Sequence, residues 1–266
     1  MTALSPAIAP ATIPARRGGM FLGFPNAFRK EVTEWLRGPK VLIVAGVSIA
    51  GAVFMTLIPF IAVATKEAEA ADLFSTDPTA NVLLGWTGQS VALIAIVATM
   101  TLFSTERDRG TLPWSLSNPV SPTSVLAAKG LAAFLMLTIA AILVPIAVSV
   151  ALATIIYGLP DLAVVGSFAV LFLTLPAFYI ALTVALGTGI KSTAGVAGAA
   201  FAVVFVPQIL GGIVPLINEL SPTSIGGWAM AVAKGDVASN LTLVGWAVSM
   251  AILVVGAKLV FDRQEL

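Results

Sequence analysis

The chain has 266 residues, 58% of them apolar and only 10% charged, with a mean hydropathy of +1.02. Soluble domains carry about 25% charged residues, so this composition excludes an ordinary soluble domain and reads as an integral membrane protein. With no Cys and no His, disulfides, thiolate chemistry and the usual zinc ligands are excluded as well. The net charge of +1 conceals an asymmetry that lies along the chain.

Residues 1–27 begin Ala/Pro/Thr-rich and carry Arg16 and Arg17 without apolar periodicity, which reads as a disordered cytoplasmic tail. The Arg pair does not make a twin-arginine leader. The next apolar run starts near Val41 and is longer than a signal h-region of about 7–15 residues. Residues 28–266 form the membrane domain.

Phe28, Val32, Trp35 and Leu36 follow one another at i, i+4, i+7 and i+8, with Arg29, Lys30, Glu31 and Glu34 between them. That spacing predicts a helix over residues 28–38 with one apolar stripe and a charged opposite face. Directly before a membrane span, it reads as an amphipathic helix in the interface. A solvated helix packed on a neighbouring subunit is the other reading.

Six apolar segments follow, at about 41–64, 82–103, 131–157, 162–186, 194–217 and 241–261. Each has about the 20 residues needed to cross a hydrocarbon core of about 30 Å. Continuous apolar runs, as opposed to alternating ten-residue segments, predict helices and not an outer-membrane barrel. The fold class expected is therefore all-α integral membrane: six transmembrane helices, an N-terminal amphipathic interfacial helix and a charged loop between the second and third spans. Pro145 predicts a kink in span three, and Gly158-Leu159-Pro160 a turn after it.

With six spans both ends lie on one side, and that side carries twelve of the fourteen Lys and Arg residues, leaving only Lys66 and Lys234 opposite. Basic residues mark the cytoplasmic face. The reading is a multi-pass protein of the cell inner (cytoplasmic) membrane with both termini cytoplasmic.

The tetrapeptide Ser-Pro-Thr-Ser occurs at Ser121–Ser124 and again at Ser221–Ser224, after spans two and five. Each has the form of a helix start, Ser at N-cap and Pro at N1. The two places correspond in an inverted three-plus-three arrangement, although four residues are also a match that arises by chance. Ile225, Trp228, Ala229, Val232 and Ala233 then space out another apolar stripe, either a short external or re-entrant helix or a loop resting on the membrane surface.

No span carries an Asp, Glu, Lys, Arg or His in its interior, which weighs against proton- or sodium-coupled carriers. The string from Gly187 to Thr193 is no P-loop, because Ile190 stands where a Gly must precede Lys and the string joins two membrane segments. No hydrolytic triad or metal cluster is visible, so no catalytic and no metal residues are expected. The chemistry-bearing stretch is Ser104–Gly130, where Glu106, Arg107, Asp108 and Arg109 crowd together before Gly110, Thr111 and Leu112. Charges of that density cost several kcal/mol each in hydrocarbon, so the stretch lies in water or against a partner. A solvated turn is the plain reading, and a short helix docking on a cytoplasmic protein the functional one.

The chain resembles the membrane subunit of ABC-2 type transporters. The likeness rests on the Arg29-Lys30-Glu31 segment before the first span, the six spans, and Glu106-Arg-Asp-Arg-Gly110-Thr111-Leu112 followed by Asn118-Pro119 and Ala128-Lys129. The loop is similar to the family's E-x-x-x-G-T-L coupling element, and the interval from Ser221 to its external re-entrant region. The resemblance implies a permease subunit of an ATP-driven exporter that is not itself an enzyme. A second permease subunit, identical or homologous, would complete the pathway, and two copies of a P-loop ATPase would supply ATP and Mg, with no cofactor on this chain and no nucleic acid. Glu106–Leu112 would be the ATPase-coupling loop, Phe28–Leu36 the connecting helix, and Gln89, Tyr179 and Gln208 the polar groups of a substrate pathway around spans two and five. Interhelical hydrogen bonding, worth about 0.6–2 kcal/mol, is the alternative role for those three. A mainly apolar pathway favours amphipathic, lipid-like or drug-like cargo, with glycan or peptide cargo left open. A non-transporting membrane scaffold that recruits a cytoplasmic partner is the alternative function, and an independent channel or carrier a third.

Overall fold

The computed structural model describes residues 19, 21–64, 77–84, 88–108 and 120–263, and among them every regular element is helical. Helix α1 (Phe24–Arg37) follows Gly23, whose φ of 76° lies in the left-handed region that glycine tolerates. It stops at Gly38, and α2 (Lys40–Ala64) begins two residues later. The expected second span is not described as one helix. It consists of α3 (Pro78–Leu84), α4 (Gly88–Thr99), a turn through Met100–Phe103 and then the short α5 (Ser104–Asp108).

The third span begins nine residues earlier than expected. Helix α6 (Pro122–Leu137) starts on Ser121, whose Oγ accepts the Ser124 N–H at 3.1 Å with Pro122 in the first turn. It continues through a π-helical stretch, Thr138–Leu143, into α7 (Val144–Ile156). The irregularity expected at Pro145 therefore falls in the turn before it. Pro145 has no N–H to donate and its ring crowds the preceding turn, and a wider turn relieves both demands.

Helices α8 (Leu162–Phe172) and α9 (Thr174–Gly189) form one apolar run with a turn at Leu173, and α10 (Thr193–Gly211) follows. The fifth span thus ends at Gly211 and not near Ile217. Gly211 and Gly212 weaken the helix, and Pro215 opens a separate helix, α11 (Pro215–Leu220). The second Ser-Pro-Thr-Ser forms a 3₁₀ turn, Pro222–Ser224, leading into α12 (Ile225–Lys234), and α13 (Asn240–Asp262) closes the chain. Five helical runs are long and apolar enough to cross a membrane among the described residues: Lys40–Ile61, Pro122–Ile156, Leu162–Gly189, Thr193–Gly211 and Asn240–Asp262. The apolar run Ser90–Glu106 is shorter.

Helix α9 is the hub, packed against α4, α6, α10 and α13, while α1 lies along α6 and α2 along α7. Half of the apolar window in Leu162–Gly189 is buried, against 6% in Asn240–Asp262, so α9 is core and α13 is periphery. Phe168, Phe172, Leu175 and Phe178 are all buried in that core. Few side chains specify how the outer helix docks. Trp246 Nε1 donates to the Thr174 carbonyl at 2.9 Å, and Phe261 meets Phe103 edge-on at 5.9 Å. Gly245 lies against Leu220 so closely that a Cβ would overlap the Leu220 carbonyl oxygen.

Candidate functional site

Three elements far apart in sequence converge at the end of the bundle where α1 and α5 lie. Helix α1 brings Lys30, Glu31 and Glu34, α5 brings Glu106, and α6 brings Lys129. Lys129 Nζ lies 2.9 Å from Glu31 Oε1 and 2.9 Å from Glu106 Oε1. The Lys30 ammonium reaches the same Glu106 oxygen at 3.0 Å and approaches Glu31 at 3.7 Å and Glu34 at 3.6 Å. The Lys129 side chain is 3% exposed and that of Glu31 6% exposed. This is a buried network with one solvent-facing corner at Lys30 and Glu34.

The local folding is readable from the helices. Glu31 and Trp35 are four residues apart, so they share the face that α1 turns toward α6, and both are buried. Lys129 lies two turns inside α6, with Ala128, Ala132 and Ala133 around it. Those small side chains let α1 come close, and the Lys stem lies among apolar neighbours while its Nζ sits 5.8 Å from the Phe103 ring centroid. The balance of effects at Glu106 favours its charge. Burial would raise its pKa, but Lys129 and then Lys30 outweigh burial and hold the carboxyl below its ordinary value. At Lys30 burial pulls downward, and the hydrogen bond and charge of Glu106, with Glu31 and Glu34 behind it, push the ammonium above its ordinary value.

Carboxylate oxygens of Glu31, Glu34 and Glu106 come within 4.8 Å of one another, a spacing that also suits a cation. The cations in that position are the Lys30 and Lys129 ammoniums, which pair with all three carboxylates. The arrangement can carry force between helices.

The expected site residues fare unevenly. Glu106 is at the centre of the network. Arg107 and Asp108 belong to the backbone of α5, their side chains lie outside the described residues, and so do Arg109, Gly110, Thr111 and Leu112. On α1 the expected stripe divides. Trp35 is buried with Lys40 Nζ 5.0 Å from its ring centroid, Phe28 and Val32 are half-buried, and Leu36 is exposed. Trp35 therefore packs inside the protein and does not lie on a lipid surface, because the face it shares with Glu31 is the one α6 covers. Tyr179 is 1% exposed on the hub helix, edge-on to Phe178 at 5.2 Å, so it presents no surface to a cargo within one chain. Gln208 is half-buried on α10, and the side chain of Gln89 lies outside the described residues.

Residues that sequence reasoning missed are Glu31 and Lys129 as a buried pair, together with the hydroxyl contacts between spans. Thr99 and Thr183 hydroxyls meet at 2.7 Å between α4 and α9, and Ser104 meets Thr193 at 2.6 Å between the starts of α5 and α10. The signal for Glu31 was its spacing from Trp35. No comparable signal marks the hydroxyls, since Ser and Thr are common in membrane helices.

A family model described as ABC-2 family transporter protein matches residues 26–266, which take in α1 from its third residue, the network and every apolar run. The chain belongs to the ABC-2 transporter family. Its recognition from the pre-span charged segment and the Glu106 loop is thereby supported, and the chain is a transmembrane component of transport, not itself catalytic. No curated protein matches the sequence.

Proposed function

We propose that this chain is the permease subunit of an ATP-driven exporter, working as a dimer of identical or homologous subunits with two copies of a P-loop ATPase docked on the basic face. ATP and Mg belong to that partner. Family membership supports the permease role. The observation that carries the coupling is Glu106: the one carboxylate of α5 that is described joins α1 through Lys30 and the 35-residue helical run Pro122–Ile156 through Lys129. Pulling α5 away takes Glu106 from both Lys129 and Lys30 and leaves Lys129 with Glu31 alone, and separating a buried pair costs about 3–5 kcal/mol. A push on α5 is therefore cheaper to pass on to α1 and α6 than to absorb.

In this reading α2, α3 with α4, the α6–α7 run, the α8–α9 run, α10 and α13 make six crossings of the inner membrane, with both termini cytoplasmic. Helix α1 is the connecting helix at the interface, and residues 104–112 are the coupling loop. The cargo is amphipathic, lipid-like or drug-like, since the faces available to it are almost wholly apolar.

The test is purification of the full chain from its native membrane with its partners, followed by nucleotide hydrolysis and export assays on wild type and Glu106→Gln. The expected result is a co-purifying P-loop ATPase that still binds the variant but no longer drives export. Recovery of no nucleotide-binding partner under gentle extraction overturns the reading in favour of a membrane scaffold.

A further inference from the structure

Beside the ion-pair network, α1, α2 and α4 border a groove of about 1120 Å³. Its floor is apolar, with Ile43 and Val47 of α2 and Leu93 and Val97 of α4 all lining it and all exposed. Its mouth is charged, and the charges there fall into two groups. Glu31, Glu34 and Glu106 each pair with Lys30 or Lys129. Arg37 and Lys40 also line the groove, and among the described residues neither makes an ion pair.

Lys40 is held where the two parts of the groove meet. Its Nζ is 3.3 Å from Thr101 Oγ1 and 5.0 Å from the Trp35 ring centroid. Both contacts orient the ammonium and neither neutralises it. The positive end of the 25-residue α2 dipole lies at the same point. A small aqueous anion would answer the charges and leave the floor bare, whereas an alkane-like molecule would cover the floor and leave the charges unmatched. A molecule with an anionic head and an apolar chain satisfies both, and the groove exceeds the roughly 300–1,000 Å³ of clefts that hold drug-sized ligands.

We propose that this groove holds one anionic phospholipid from the leaflet on the basic face. Its phosphate sits at Arg37 and Lys40, and an acyl chain lies between α2 and α4 along Val47 and Val97. Lys30 and Glu106 border the same groove, so the lipid lies against the network and braces α1 onto α2. It is a resident of the site and is distinct from any cargo, so the inference stands apart from the transport reading.

The test is native mass spectrometry of the delipidated full chain with its co-purifying partners, titrated with phosphatidylglycerol or phosphatidylcholine. Wild type is expected to retain phosphatidylglycerol several-fold better. Arg37→Gln and Lys40→Gln should each lower that retention roughly fivefold, as removal of one basic residue near an anionic lipid does, with phosphatidylcholine unchanged and Lys40→Arg retaining the lipid. Val47→Trp, which fills the floor and keeps the charges, should also expel it. Equal retention of the two lipids by wild type, or phosphatidylglycerol retention indifferent to both the charge and the Trp variants, overturns the proposal. So does copy-to-copy disulfide formation by Val47→Cys in membranes. The chain has no native cysteine, so that bond would place a second subunit in the groove.

Discussion

The charged end and the apolar middle of this bundle hold their helices together by different means. At the charged end, α1, α5 and α6 are joined by a few side chains whose charges are buried and mutually dependent. In the middle, α4, α9 and α10 meet through shape and through isolated hydroxyl pairs such as Thr99 with Thr183. The first kind of contact is costly to break part-way, because the partner left behind keeps its desolvation penalty. The second is cheap, because a threonine deprived of its neighbour still bonds its own helix: Thr183 Oγ1 reaches the Tyr179 carbonyl at 3.0 Å. A region that must transmit movement as a unit gains from the first, and a packed wall needs only the second.

The sharpest way to break this comparison is Lys129→Met. It leaves Glu31 and Glu106 with only the half-exposed Lys30 ammonium between them, and thermal unfolding of the purified chain should report a loss of about 3–5 kcal/mol. If the loss is no larger than that of a hydroxyl deletion, the network is not a buried unit. Acid should act on the same place. The Glu106 pKa is lower folded than unfolded, so its contribution is fully present above the ordinary Glu value of 4.5 and disappears as pH falls through the depressed folded value. Glu106→Gln should accordingly flatten the acid limb of a stability-against-pH curve below 4.5, and an unchanged limb would show that the pairing is not felt in solution.

In the apolar middle, Thr183→Val should cost only about 0.6–1.7 kcal/mol, the range for interhelical hydrogen bonds in membranes. Thr99→Val combined with Thr183→Val should cost less than the sum, since both hydroxyls then leave together. The smallest effect belongs to Glu34→Ala. Its side chain is 58% exposed and pairs with Lys30 one turn away, so a change of at most about 0.5 kcal/mol is expected, and it should shrink in high salt.

The comparison also explains what was readable beforehand. Apolar segments long enough to cross a bilayer are recognisable one residue at a time, and α2 and α13 lie close to the expected positions. Ser121 as the cap of α6 follows from local chemistry. The same tetrapeptide at Ser221 behaves differently: its Oγ accepts from Thr223 N–H, and the chain takes a 3₁₀ turn first. Ser224 Oγ bonds the Asn218 carbonyl and side chain, whereas Ser124 Oγ meets Ser121 Oγ at 2.8 Å. The identical tetrapeptide thus opens an α-helix in one place and a 3₁₀ turn in the other.

Glu31 shows the same limit at the candidate site. Its neighbours Arg29, Lys30 and Glu34 are exposed, and a run of such residues reads as a solvated face. Glu31 departs from them because Lys129, 98 residues away, lies where it can be met. Tyr179 departs in the other direction: a lone polar ring in an apolar span suggests a pathway, yet its helix is the hub of the bundle and the ring itself is buried.

By itself the sequence determined that this chain enters a membrane as helices and where most of those helices run, because hydrophobic length acts residue by residue whatever the fold. The tertiary structure decided which charges are buried and paired, which helix is core, and where a groove bordered by Arg37 and Lys40 opens. Those properties depend on which segments become neighbours, and in a uniformly apolar chain no local pattern distinguishes a face that meets protein from one that meets lipid.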